Sequence, residues 1–211
     1  MNSDTIDTVS ENRHILVIDD NLAIHEDFRK ILASPNVPNE LDRARVSLFG
    51  ETPVSAYNES FQVDFADQGE AGFRMVEQAI HSGVPYAVAF VDMRMPPGWD
   101  GLQTIEHIWK ADSEIQVVIC TAFSDHPWQQ IAQRLGRTDR LLILRKPFDT
   151  VEVEQLAVSL TRKWELAQNV AARTAELSSR NEQLQQINQQ LTQFLEELRR
   201  AKDVVNGANS T

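Results

Sequence analysis

The feature that most constrains the fold is an alternation of short apolar runs with stretches of helical period. Five runs, His14 to Ile18, Phe61 to Phe65, Tyr86 to Val91, Ile115 to Cys120 and Leu141 to Leu144, are separated by segments whose apolar residues recur every three or four positions. Strands joined by helical crossovers require a parallel sheet with helices on both faces. A run as continuously apolar as Tyr86-Ala87-Val88-Ala89-Phe90-Val91 fits a strand buried on both sides. The expected fold class is therefore α/β, an open five-stranded parallel sheet, with a long helix after it.

The helical segments carry their own signals. Leu22 to Leu32 places Leu22, Ile24, Phe28, Ile31 and Leu32 near helical spacing, and Gly69 to His81 is expected to bury Ala71, Phe73, Val76 and Ile80. Leu102, Ile105, Ile108 and Trp109 mark a third helix. Asp125-His126-Pro127 opens another that runs to Leu135, with Pro127 suited to its first turn. From Thr150 a helix begins with no clear stop before Asn206. Residues 34–60 interrupt the pattern as an insertion, inside which Asn39 to Phe49 sets Leu41, Ala44, Arg45, Leu48 and Phe49 on one face of a short helix.

Parallel strands carry their ligands at their carboxyl ends, at the topological switch point. Four runs here end in Asp19-Asp20, Asp92, Thr121 and Lys146. Three carboxylates on one rim repel one another unless a cation lies between them, and hard oxygen donors suit Mg²⁺ or Mn²⁺. With such an ion bound, one carboxylate can act as a nucleophile toward phosphorus, because metal and lysine together neutralise the phosphoryl oxygens. Lys146 supplies the fixed positive charge, and Thr121 a hydroxyl that donates to a phosphoryl oxygen.

These residues resemble two-component response-regulator receiver domains. The resemblance runs from about His14 to Leu160 and rests on Asp19-Asp20, Asp92 with Met95-Pro96 and Asp100-Gly101, Thr121-Ala122, and Lys146-Pro147-Phe148. It implies a flavodoxin-like strand order 2-1-3-4-5, Mg²⁺-dependent transfer of a phosphoryl group to Asp92 from a sensor histidine kinase or phosphotransfer protein, and a cis peptide at Lys146-Pro147. It also implies a metal set of Asp19, Asp20, Asp92 and the backbone carbonyl of Arg94. Such a domain assists its own phosphorylation and dephosphorylation and is not an enzyme on other substrates.

The chain departs from the family pattern in three places. The loop after Asp92 is one residue longer, with Pro97, Gly98 and Trp99 before the Asp-Gly pair. The family's switch aromatic, three residues before the lysine, is Ile143, so signalling is expected to run through the helix after Thr121 or through His126 and Trp128. The third departure is the insertion at residues 34–60.

Other readings fall on the residues themselves. His25-Glu26 is followed by Arg29 where a zinc motif needs histidine, and the acid that a haloacid dehalogenase phosphatase needs two residues after its nucleophile is Arg94. Asp19 or Asp20 could cap the next helix, but a cap needs only one acid. The single cysteine, Cys120, lies in an apolar run and reads as a small buried hydrophobe.

Composition bounds the partners. The 211 residues are 42% hydrophobic, enough for one ordinary domain and an appendage. The net charge is −11, and with six acidic and five basic residues from Glu165 onward, the front of the chain holds 25 acidic against 15 basic. Such a front repels a phosphate backbone, so direct nucleic-acid binding is not expected. No leader with an apolar core and no bilayer-length apolar stretch appears, and the expected location is the cytoplasm.

Beyond Trp164, Val170, Leu177, Leu184, Leu191 and Leu198 recur every seven residues, with companions Ala167, Thr174, Asn181, Asn188 and Leu195. This is the seam of a coiled coil; asparagines within it favour one register and a parallel homodimer, while Ile187 and Phe194 widen the stripe and leave a higher-order bundle open. The expected organisation is a disordered lead-in (1–12), a receiver (13–164) with its insertion, a dimerisation stalk (165–205) and a disordered end (206–211). The stalk resembles those joining receivers to diguanylate cyclase, phosphodiesterase or histidine kinase domains. The competing expectation, motivated by Ile143, is a constitutive dimerisation scaffold whose receiver fold no longer switches.

Overall fold

A computed structural model describes residues 12–33, 61–122 and 128–208. Five strands, β1 (His14–Ile18), β2 (Gln62–Ala66), β3 (Val88–Asp92), β4 (Gln116–Thr121) and β5 (Leu141–Arg145), form one parallel sheet in the order 2-1-3-4-5. The fold is flavodoxin-like. The helices are α1 (Leu22–Phe28), α2 (Gly69–Ser82), α3 (Gly101–Ala111), α4 (Trp128–Leu135) and α5 (Thr150–Ala208).

The two faces of the sheet carry separate cores because successive side chains of a strand point to opposite sides. Leu16, Ile18, Ala89, Val91, Val117 and Ile119 pack toward α2, α3 and α4, against Val76, Ile105, Ile108 and Ile131. Ile15, Val17, Phe90, Val118 and Cys120 pack toward α1 and α5, against Phe28, Val153, Ala157, Leu160 and Trp164. β1 and β3 are buried at every position, as continuous apolar runs require, while the edge strand β5 alternates more.

Several boundaries differ from the sequence expectation. The first helix is α-helical only to Phe28 and continues as a π-helical turn, Arg29–Ala33. In α2 the inward stripe is Gly72, Val76 and Ala79, while Ile80 is 38% exposed. The helix is rotated so that its smallest residue meets β1: a Cβ at Gly72 would lie 2.3 Å from Ile18 Cδ1. α4 is described from Trp128, so the start expected at Asp125 lies outside the described residues, as do the lead-in to residue 11, the 34–60 insertion with its short helix, and His126. The last helix reaches Ala208, beyond the expected stalk boundary at 205.

The chain divides into two compact units, Met1–Glu165 and Leu166–Thr211. The first holds the sheet. The second is helix, and along it Val170, Leu177, Leu184, Ile187, Leu191, Phe194 and Leu195 are all more than half exposed. Among the described residues no helix is long and apolar enough to cross a membrane.

Candidate functional site at the carboxyl rim of the sheet

The strand ends at the rim are tied together by the backbone before any side chain acts. Asp19 N–H donates to the Ala66 carbonyl (3.1 Å), Met93 N–H to Cys120 (3.0 Å) and Lys146 N–H to Thr121 (2.8 Å). Each bond extends a ladder one residue past its strand, which sets Asp19, Asp92 and Lys146 side by side. Asp19 and Asp92 are buried, at 2% and 8% exposure.

Lys146 joins them. Its Nζ donates to Asp19 Oδ2 and to Asp92 Oδ1, both at 2.6 Å. The remaining carboxylate oxygens take backbone donors, Asn21 N–H on Asp19 Oδ1 and Arg94 N–H on Asp92 Oδ2, each at 2.9 Å. Loss of hydration pulls the Lys146 ammonium toward neutrality, but its bonds to the two carboxylates and their charge outweigh that, and it titrates above its ordinary range. Lys146-Pro147 is cis, and Phe148 beyond it packs edge-on against Phe28 at 5.3 Å.

Asp20 is exposed, and its carboxyl is held above the ordinary range, first by partial loss of hydration and then by the charges of Asp19 and Asp92. Neither acid caps α1: that place is filled by Asn21, whose Oδ1 accepts from Ala23 N–H at 3.0 Å. Three carboxylates against one ammonium leave the rim short of positive charge, and the donors are all oxygen, which fits Mg²⁺. In the present arrangement, with Lys146 bonded to both Asp19 and Asp92, no group of three His, Cys, Asp or Glu side chains among the described residues is set to hold a metal ion. Asp19 and Asp92 are brought together by their shared lysine, and Asp20 lies exposed within reach of their charges.

Thr121 is at the end of β4, with 9% exposure, and its hydroxyl donates to the Ala122 carbonyl at 3.1 Å. Ile143, opposite Ile119 in the ladder, is half-buried against the core on the α4 side. An aliphatic chain packed there offers no ring to rotate between buried and exposed positions. The free thiol of Cys120 is buried and pushed up by that burial, so it acts as core.

The long loop after Asp92 has a definite shape. Pro96-Pro97 is also cis, and Trp99 is laid on the His107 ring of α3 with centroids 4.1 Å apart and planes within 20°. Phe73 of α2 closes the cluster, 6.0 Å from Trp99 and 5.8 Å from His107. Gln68 Nε2 donates to the Pro96 carbonyl at 3.4 Å, and a Cβ at Gly98 would meet Gln68 Oε1 at 2.3 Å. The extra residue thus lets the loop fold onto the start of α2. Asp100 caps α3 by accepting from Gln103 N–H at 2.7 Å. Sequence reasoning missed this bracing, because the period of α2 and α3 marks which faces are apolar and not which aromatic a distant loop adds to them.

A second polar cluster, also missed, lies at the opposite end of the sheet. Asp64 Oδ2 accepts from Tyr86 Oη at 2.7 Å and is 2.8 Å from His14 Nε2, whose Nδ1 is 3.3 Å from the Val84 carbonyl. The only signal was Asp64 at a polar position of the alternating run Phe61 to Phe65.

Comparison with known proteins agrees with this geometry. The family model described as response regulator receiver domain matches residues 54–158. The transcriptional regulatory protein FixJ of Bradyrhizobium diazoefficiens is 31% identical over 105 residues, which are 46% of this chain and 49% of that protein, so the chain spans about half the length of that curated relative. A CheY-like receiver domain protein from Methanospirillum hungatei superposes with a TM-score of 0.52 at 17% identity, over 74% of this chain and 98% of that one. A structure described as adenylate cyclase from Rhodopirellula baltica gives 0.55 at 17% identity, over 76% and 96%. The family model's match begins after β1, so it does not include the acidic pair, which the fold brings to the site. With the strand order, the acid–lysine rim and the matched stretch all in agreement, the chain carries a response regulator receiver domain of two-component signalling.

Proposed function

We propose that Asp92 is the phosphoacceptor of this receiver, taking a phosphoryl group from the phosphohistidine of a sensor histidine kinase or phosphotransfer protein. A carboxylate oxygen of Asp92 attacks phosphorus, the P–N bond breaks, and the histidine leaves with a proton from solvent. The observation that carries this reading is the Lys146 ammonium shared at 2.6 Å between Asp19 and Asp92, a fixed positive charge where phosphoryl oxygens would gather. Receiver domains generally use Mg²⁺ in this reaction. Here Asp19, Asp20, Asp92 and the carbonyl of Arg94 would hold it, and when bound it neutralises charge building on the phosphoryl group. Thr121 would turn its hydroxyl from the Ala122 carbonyl to a phosphoryl oxygen. The domain assists its own phosphorylation and dephosphorylation and acts on no other substrate.

The modification adds about −1.5 to −2 charges at the rim, enough to recruit Lys146 and Thr121 and bias a two-state surface. We take that state to pass along α5 through a parallel homodimer, in the cytoplasm, to an output domain, without direct contact to nucleic acid. Incubating the protein with a small acyl phosphate and Mg²⁺ should add one phosphoryl mass per chain. Chelation and Asp92→Asn should each abolish it; label that survives Asp92→Asn overturns the assignment. The second reading, a dimerisation scaffold that does not switch, draws on Ile143 and is supported if phosphorylated protein keeps an unchanged scattering profile and dimer affinity.

A further inference from the structure

Apolar residues are spread unevenly along the second unit. From Leu166 to Leu184 the seam offers one large apolar side chain per heptad, Val170, Leu177 and Leu184, with Ala167, Thr174 and Asn181 as companions. Beyond it, Ile187, Leu191, Phe194 and Leu195 crowd into little more than one heptad, with exposures of 57, 53, 56 and 56%. A stripe widened beyond the two seam positions buries more apolar surface per turn, whereas small and polar seam residues lower stability. Intrahelical polar bonds occur in both halves and do not distinguish them: Thr174 Oγ1 donates to the Val170 carbonyl and Thr192 Oγ1 to the Asn188 carbonyl, each at 2.8 Å.

We infer that residues 187–195 clamp two copies of this chain together, while residues 167–184 form a soft seam whose packing changes with the state of the receiver. The division of labour rests on the reading of Asp92 as phosphoacceptor. A second copy is the occupant that the pattern fits. Asn181 and Asn188 meet their own counterparts only in a parallel, in-register pair, where each amide can both donate and accept; antiparallel pairing would set them against leucines. In that parallel pair Arg173 and Arg180 flank the seam opposite Ser178 and Gln185 of the second copy, so no like charges face each other.

The test uses the full chain with one added thiol, Leu177→Cys or Leu191→Cys; buried Cys120 stays in place as unreactive. Oxidative cross-linking is followed with and without acyl phosphate and Mg²⁺, and the mass of each sample is measured. The Leu191→Cys rate should not change with phosphorylation. The Leu177→Cys rate should change by about five-fold or more, the lower end of ordinary coupling between sites. Equal Leu177→Cys rates in samples that carry the added mass overturn the soft seam and leave the phosphoacceptor reading standing. Samples that never gain the mass overturn both. Ile187→Gln with Phe194→Gln should yield monomer, and a double variant that stays dimeric removes the clamp.

Discussion

Tyr86 is buried at 3% exposure, and its hydroxyl donates to a carboxylate, so its phenol is pushed well above the ordinary range by loss of hydration and by Asp64. The unfolded chain therefore releases this proton first. The stability it contributes is complete below pH of about 10 and falls as the pH rises further. Tyr86→Phe should cost about 1.5–3 kcal/mol at neutral pH, the value of a hydrogen bond to a charged acceptor, and should flatten the alkaline decline in urea titrations above about pH 10. At the rim, the residues that sequence alone singled out, Asp19, Asp92, Thr121 and Lys146, do gather at adjacent strand ends, because the ends of parallel strands in one sheet share an edge whatever the loops do. Asp20 lies exposed within reach of the charges of Asp19 and Asp92, and the cap of α1 is taken by Asn21 and not by either acid.

Elements were legible where a single period dominated. The strands and α3 follow from their apolar spacing, since burial on both faces or along one stripe leaves few alternatives. The face of α2 was misjudged at Ile80 because its contact with β1 is decided by the absence of a side chain at Gly72, which hydrophobic periodicity scores as nothing. A similar close approach fixes the start of α3. A Cβ at Gly101 would lie 2.4 Å from the Asp92 carbonyl oxygen and 2.9 Å from Met93 Cα, both backbone atoms that cannot swing aside. Gly101→Ala should thus push α3 away from the loop after Asp92, destabilise the domain by about 3 kcal/mol in denaturant melts, and slow the proposed phosphorylation of Asp92. The loop itself was not legible, since its course depends on Trp99 finding His107 and Phe73 from two other elements.

At the scale of the whole molecule, two kinds of apolar surface coexist. The first unit hides its own within two cores, and the second displays its own along a helix that is too exposed to be stable by itself in water. Leu184→Asp should raise the dissociation constant of the proposed homodimer by about 100-fold or more, measured by sedimentation of the full chain, because burying each leucine in its seam would contribute about 1.5–3 kcal/mol. The strand order has its own bearing on what can be separated. β1 comes first in the chain but lies between β2 and β3, and the stretch that matches the receiver family starts only at residue 54. Cutting the protein back to that recognisable stretch would open the sheet through its middle, leave two edges where there had been a buried ladder, and take away Asp19 and Asp20. The part most easily recognised from sequence is therefore not a part that can stand alone.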